Sequence, residues 1–158
     1  MNASKNPVNI YCLHFKECDP KKCSALKLHK LGHLKIIKGI KGHLSNAILL
    51  NPLSRVELKY EDRGMIKRFG LIVLDCSWRK IIKLKEHKHK NARNLPPLIS
   101  ANPVNYGKWE KLNSAEAIAA ALYITGFKAQ AKNILSNFRW SKEFWKINKK
   151  FLEKNKNK

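Results

Sequence analysis

The sequence predicts an α/β fold built on a parallel sheet, and three observations carry that prediction. Two four-residue apolar runs, Ala47-Ile48-Leu49-Leu50 and Leu71-Ile72-Val73-Leu74, each stop at a polar residue, Asn51 or Asp75. Runs that are apolar on both faces suit strands buried in a parallel sheet. Between them, Ser54 to Phe69 is polar with a periodic minority of apolar residues, room for one connecting helix, so the spacing is β-α-β. Finally, 44% of the 158 residues are hydrophobic, enough for a packed core and too many for a disordered basic tail.

The remaining elements follow in chain order. Val8 to Phe15 is apolar and β-prone and reads as a first strand, and Cys18 to Lys22, with Asp19-Pro20, reads as a turn. Leu26, Leu28 and Leu31 mark a short helix that stops at Gly32. Leu95 to Gly107 reads as a strand running into a rigid loop, because Pro103 keeps Asn102 extended and Gly107 frees the chain to turn. Asn113 caps the next helix with Glu116 as its capping-box partner, and Ala115 to Ile124 is strong helix-forming sequence ending at Gly126. A further helix spans about Lys128 to Phe138. The last starts near Ser141, with Phe144, Ile147, Phe151 and Leu152 on one face, and frays over Glu153 to Lys158.

Charge narrows the function. Lys and Arg number 33 against 11 Asp and Glu, a formal net charge of +22. A surface of that sign favours polyanions, and a small acidic metabolite alone does not call for it. No apolar run approaches the roughly 20 residues that span a bilayer, and Met1 to Val8 lacks the apolar stretch of a signal peptide. The reading is of a cytoplasmic protein with no membrane partner. Cys12, Cys18, Cys23 and Cys76 are too few and too unevenly spaced for a disulfide framework. Cys18 and Cys23 with His29 and His33 fit zinc spacing only loosely, so the cysteines are read as reduced packing thiols and no metal is expected.

In open parallel sheets ligands bind beyond the carboxyl ends of the strands. Here those ends are Leu50-Asn51-Pro52, Leu74-Asp75-Cys76-Ser77-Trp78 and Ala101-Asn102-Pro103, which the sequence brings to one crevice. Asn102, Asn105, Tyr106 and Trp109 offer amides and rings suited to a flat heterocycle or an unstacked base. Directly after Asp75 comes a basic run, Arg79, Lys80, Lys83, Lys85, Lys88, Lys90 and Arg93 with His87 and His89, against the single acid Glu86. By itself such a run is as often a solvated face as a phosphate-binding one.

Taken together, Asp19-Pro20-Lys21-Lys22-Cys23-Ser24, Asp75-Cys76-Ser77-Trp78, Ala101-Asn102-Pro103-Val104-Asn105-Tyr106-Gly107, Lys111-Leu112 with Glu116-Ala117, and Phe138-Arg139-Trp140 resemble the small-subunit rRNA aminocarboxypropyltransferases of archaea and eukaryotes. The resemblance runs in order over nearly the whole chain. It implies a fold related to the SPOUT methyltransferases, with a small α/β N-terminal part over residues 1–44 and a SPOUT-like S-adenosylmethionine-binding domain over residues 45–158 that carries a trefoil knot. It also implies the reaction: the 3-amino-3-carboxypropyl group of S-adenosylmethionine passes to a hypermodified uridine derived from N1-methylpseudouridine, releasing methylthioadenosine during ribosome biogenesis.

Carried over residue by residue, the resemblance implies donor contacts at Ser24, Leu50, Pro52, Leu74, Trp78, Leu98, Asn113 and Ala117. Ser24 stands where the family has threonine, Ala25 where it has glycine, and Asn51 where it has serine. Leu98 matches a residue that meets the adenine through its backbone, and Asn113 and Ala117 occupy helix-start positions along the adenine and methionine moieties. Asp75 is the candidate catalytic residue, able to accept or orient the imide proton of the acceptor base. The basic run from Arg79 to Arg93, the C-terminal helix and Tyr106 form the expected rRNA surface of a monomeric enzyme whose partner is the small-subunit rRNA or pre-ribosomal subunit. A SPOUT-type rRNA methyltransferase and a non-catalytic pre-ribosome-binding protein are the alternatives.

Overall fold

The computed structural model describes residues 7–14, 23–75, 89–108 and 112–154. The chain divides into a sheet unit, Val8–Glu57 with Gly64–Asn94, and a helical unit, Met1–Pro7 with Leu58–Arg63 and Leu95–Lys158.

The sheet unit is built on five parallel strands: β1 (Ile10–His14), β2 (Lys35–Ile37), β3 (Ile48–Leu50), β4 (Leu71–Asp75) and β5 (Ala92–Arg93), in the spatial order β2-β1-β4-β3-β5. The apolar runs occupy its middle. Ile48, Leu49 and Leu50 of β3 and Leu71, Ile72 and Val73 of β4 are all buried, as strands covered on both faces must be. Leu13, Ala47, Leu49 and Ile72 form one cluster, with Tyr11, Ile37, Leu44 and Phe69 packed against it. β2 pairs at the sheet edge with Lys35 exposed, and two half-buried isoleucines between lysines leave too short a pattern to be read beforehand. Helix α1 (Ser24–Lys30) ends where expected, with Gly32 at φ 82° and the His33 N–H bonded to the Leu28 carbonyl at 2.9 Å, a Schellman closure.

The connection from β3 to β4 holds the one helix expected there, α2 (Arg63–Phe69), over the last seven residues of the span. Before it, Asn51 to Ser54 is a tight turn, Glu57 bridges Asn94, and Tyr60–Asp62 is a 3-10 turn in which Asp62 Oδ2 accepts the Lys59 N–H at 3.0 Å. These local side-chain bonds compete with helix for the same backbone. The strand expected over Leu95 to Ala101 is reduced to a single bridge residue, Ile99, and among the described residues the sheet's last strand is Ala92–Arg93, paired with β3. Pro96 and Pro97 have no N–H to give to a ladder, and Leu95 onward belongs to the helical unit. β1 and β2 share a sheet with β3 and β4.

The helical unit holds α3 (Ser114–Ile124), α4 (Lys128–Leu135) and α5 (Ser141–Lys154). α3 is buried nearly all round, through Ala115, Ile118, Ala119, Ala120, Ala121, Leu122 and Ile124, which fits its alanine-rich sequence to a central position. It ends in a second Schellman closure, with Gly126 at φ 90° and Phe127 N–H on the Leu122 carbonyl at 2.8 Å. Arg63 secures that end, donating to the Thr125 carbonyl at 3.1 Å with its guanidinium 4.3 Å from the Phe127 ring centroid. α4 stops at Leu135 and not near Phe138: Ser136 Oγ bonds the Asn133 carbonyl at 2.6 Å and Asn137 Nδ2 the Ile134 carbonyl at 3.0 Å. On α5, Phe144 and Leu152 are buried and Ile147 and Phe151 half-buried, as the spacing predicts. Among the described residues no helix is long and apolar enough to cross a membrane.

Candidate functional site

In the helical unit the segment that leads to the loop is held by two buried polar side chains. Asn148, fully buried on the core face of α5, accepts the Ile99 N–H on Oδ1 at 2.7 Å and donates from Nδ2 to the Ile99 carbonyl at 2.8 Å. A side-chain amide thus closes both backbone groups of Ile99. Glu116, also fully buried, collects five donors. Oε2 accepts the backbone N–H groups of Ala101 and Asn102 at 2.7 and 3.2 Å; Oε1 accepts Ser100 Oγ at 3.2 Å, Asn102 Nδ2 at 2.6 Å and the Asn113 N–H at 3.0 Å. The capping box is present, since Asn113 Oδ1 accepts the Glu116 N–H at 2.9 Å, but the cap is only part of what Glu116 does.

The loop beyond is closed on itself. Gly107 N–H meets the Ser100 carbonyl at 2.7 Å and Ser100 N–H the Lys108 carbonyl at 2.9 Å, with Gly107 at φ 79°. Asn102 Oδ1 accepts the N–H groups of Val104 and Asn105, both at 3.1 Å. Asn102 is only 3% exposed, so its amide, read from sequence as equipment for a ligand, is spent on the loop itself. What the loop presents outward is Val104, 72% exposed, and Tyr106, 60% exposed. Tyr106 donates its hydroxyl to Glu143 Oε1 of α5 at 3.2 Å, and the negative charge of Glu143, then that hydrogen bond, then a little desolvation hold its pKa above the ordinary 10.0.

Of the expected donor contacts, this unit carries Leu98, fully buried, Asn113 at the helix cap and Ala117, half-buried one turn on. The sheet unit carries Ser24, 8% exposed at the start of α1, Leu50, buried at the end of β3, Pro52, exposed in the turn that follows, and Leu74, half-buried in β4. Asn51 forms that turn: its N–H reaches the Arg93 carbonyl at 2.8 Å, its Oδ1 accepts the Leu53 N–H at 2.9 Å, and its carbonyl the Ser54 N–H at 3.0 Å. Asparagine is among the residues that favour such turns, because its side chain bonds backbone two residues on. Asp75 closes β4, its backbone in register with His14 of β1 and one residue beyond the Leu13–Leu74 pair.

The basic run divides. Arg79, Lys80, Lys83, Lys85 and Lys88 lie outside the described residues, as do Trp78 and Trp109. Lys90 is exposed, whereas Arg93 is a half-buried strand residue whose guanidinium folds back onto the Ala92 carbonyl at 3.0 Å. His89 serves the fold: its ring Nε2 donates to the Ala47 carbonyl at 2.7 Å, beside Asn91 Nδ2 on the Asn46 carbonyl at 2.8 Å. Among the described residues no group of three or more His, Cys, Asp or Glu side chains is placed to share a metal.

Five parallel strands alternating with helices, in a chain of formal net charge +22, define an α/β protein of strongly cationic sequence. Residues 48–158 match the family described as ribosome biogenesis protein, C-terminal. Curated relatives named 16S rRNA aminocarboxypropyltransferase include that of Methanocaldococcus jannaschii, 40% identical over 94% of this chain and 87% of the relative, and that of Methanothermobacter thermautotrophicus, 43% identical over 92% of this chain and 88% of the relative. Among solved structures, the SAM-dependent rRNA:acp-transferase Tsr3 from Vulcanisaeta distributa superposes with a TM-score of 0.88 at 36% identity, covering 94% of this chain and 82% of that one. The chain belongs to the 16S rRNA aminocarboxypropyltransferase family. Residues 8–38 also match a possible Fer4-like domain in RNase L inhibitor; that span has three cysteines, one short of the four thiolates of an iron–sulfur cluster, and its described residues hold β1, α1 and β2.

Proposed function

We propose that this protein transfers the 3-amino-3-carboxypropyl group of S-adenosylmethionine to a hypermodified pseudouridine of small-subunit rRNA. The observation that carries the reading is identity of 40 to 43% across more than nine-tenths of the chain to relatives that bear this activity in their names. When bound, S-adenosylmethionine supplies a sulfonium whose side-chain γ-carbon is transferred, with the C–S electrons leaving on methylthioadenosine.

The chain's residues then have three tasks. Leu50, Pro52, Leu74 and Trp78 offer the methyl group an apolar wall and leave the γ-carbon to the RNA. Orientation of this kind is worth about 7 to 11 kcal/mol of barrier, which is what separates this reaction from a methyl transfer on the same donor. The uncharged character of Leu50, Pro52 and Leu74 suits that task. Ser24, Leu98, Asn113 and Ala117 are proposed to hold the rest of the donor. Asp75, at the carboxyl end of β4, takes or orients the imide proton that the attacking nitrogen gives up.

Arg79, Lys80, Lys83, Lys85, Lys88, Lys90 and Arg93 are proposed to meet phosphates, and Tyr106 an unstacked base; the exposure of Lys90 and Tyr106 supports the reading. The SPOUT relationship with its knot, action as a monomer on the pre-ribosomal subunit and a cytoplasmic setting complete it. The functional division at residue 44 is supported by the family matches, one ending at residue 38 and the other starting at residue 48.

Incubation with S-adenosylmethionine and precursor rRNA tests the proposal through its small product. Methylthioadenosine is expected; S-adenosylhomocysteine would make the protein a methyltransferase, and no product a binding protein. Asp75→Ala is expected to abolish turnover while donor binding persists, and full turnover in that variant would remove Asp75 from the chemistry.

A further inference from the structure

Sequence accounts for Glu116 as a helix cap and for Asn148 not at all, yet both are fully buried and both bond to the backbone between Ile99 and Asn102. We infer that Glu116 and Asn148 are positioning residues for the adenosine part of the donor, fixing the backbone from Leu98 to Asn102 relative to the first turn of α3. The inference rests on the reading above that Leu98, Asn113 and Ala117 meet the donor.

The chemistry of the two side chains favours this role over a purely structural one. A cap needs one acceptor for the Asn113 N–H, but Glu116 turns both oxygens to donors and joins two separate pieces of chain, Ser100 to Asn102 and the cap at Asn113. A buried carboxylate is costly unless its hydrogen bonds are made, and here five donors meet it, three of them backbone N–H groups that have no rotamer freedom. Asn148 likewise sits at a core position, between Phe144 and Leu152 on the apolar face of α5, where an amide is costly unless its hydrogen bonds are made. It closes both backbone groups of Ile99, next to Leu98, and ties them to the Phe144 carbonyl at 3.0 Å. The backbone next to the adenine position is thereby held from both sides by side chains whose geometry is fixed before the ligand arrives, the arrangement that precise binding requires.

Glu116→Gln separates this role from capping. Glutamine serves a capping box as well as glutamate, but its amide NH2 must face donors on one side of the cluster, so the Ala101–Asn102 backbone loses an acceptor. The measurements on the full chain are dissociation constants for S-adenosylmethionine, for methylthioadenosine and for rRNA, with thermal unfolding alongside. Affinity for S-adenosylmethionine and methylthioadenosine is expected to fall in parallel, about tenfold or more, while rRNA affinity holds. Asn148→Asp, which keeps the acceptor for Ile99 N–H and loses both donors, is expected to give the same pattern and stands in if Glu116→Gln fails to fold. Wild-type donor affinity in either folded variant would overturn the inference, as would equal losses for donor and rRNA, which would mark a general loosening. If the unaltered protein binds rRNA and not S-adenosylmethionine, the functional reading fails first and this inference with it.

Discussion

Tyr106 is a large side chain left 60% exposed, restrained at its tip by Glu143. A lone exposed tyrosine samples several rotamers, and the hydrogen bond removes part of that freedom in advance, which suits a ring offered to a base. The carboxylate beside it sets a sign that can be checked. Ionised tyrosinate next to Glu143 is repelled, so the folded protein keeps the proton to a pH above 10.0. A pKa raised on folding contributes stability that is complete below the unfolded value and lost as pH rises through the folded one. Ultraviolet titration of tyrosinate absorbance is therefore expected to show Tyr106 ionising above 10.0, and Glu143→Gln to bring it back toward 10.0. A titration unchanged by Glu143→Gln would show that the contact is not made in solution. At this scale the sequence marked Tyr106, Asn102 and Glu116, and of Glu116 it gave the cap at Asn113 but not the bonds to the Ala101–Asn102 backbone. Asn102 and Tyr106 looked alike as polar loop residues, and only burial separates the one that builds the loop from the one that faces out.

Elements were legible where period and punctuation agreed. β3, β4, α3 and α5 match their expected spans within a residue or two because an apolar run or stripe coincides with a clear stop such as Asn51, Asp75 or Gly126. They failed where polar side chains took over the backbone bonds, as at the end of α4, or where an isolated pair of residues joins a sheet, as β5 does. Asn148 did leave a trace in the sequence, a polar residue in the middle of an apolar helix stripe, and that is the signal to look for. The glycines sharpen the point. Gly70 joins α2 to β4 at φ 99°, and a Cβ there would sit 3.0 Å from the Asn9 carbonyl oxygen and 2.8 Å from the Tyr11 ring. Gly64, in α2, has nothing within 4 Å of such a Cβ and no positive φ. Gly70→Ala is expected to cost about 1 to 3 kcal/mol of unfolding free energy, whereas Gly64→Ala should be neutral or stabilising by up to about 1 kcal/mol. Denaturant unfolding of the two variants checks both signs, and equal effects would contradict the assigned backbone at Gly70.

For the whole molecule, the net charge of +22 sets the terms on which rRNA is met, while the proposed donor contacts Ser24, Leu50, Pro52, Leu74, Leu98, Asn113 and Ala117 bear no charge. Donor binding and RNA binding should then respond differently to salt. Each lysine or arginine on a phosphate releases a counterion, and for single-stranded RNA the logarithm of affinity falls with the logarithm of salt by about 0.7 per contact. α5 exposes Lys142, Lys146, Lys149 and Lys150, and Lys146 stands one turn from Glu143, the partner of Tyr106. Replacing these four with glutamine is expected to make the rRNA salt slope shallower by about 3 if all of them meet phosphates, and to leave S-adenosylmethionine affinity and its weak salt dependence as they were. Fluorescence titrations of rRNA at several salt concentrations, run beside donor titrations, measure both. A slope that the quadruple variant does not change would remove α5 from the interface and leave rRNA docking to the basic run from Arg79 to Arg93. A parallel change in donor affinity would instead show that the charge reaches into the chemistry, because phosphate contacts that only position the RNA cannot alter how a separate uncharged surface holds a sulfonium.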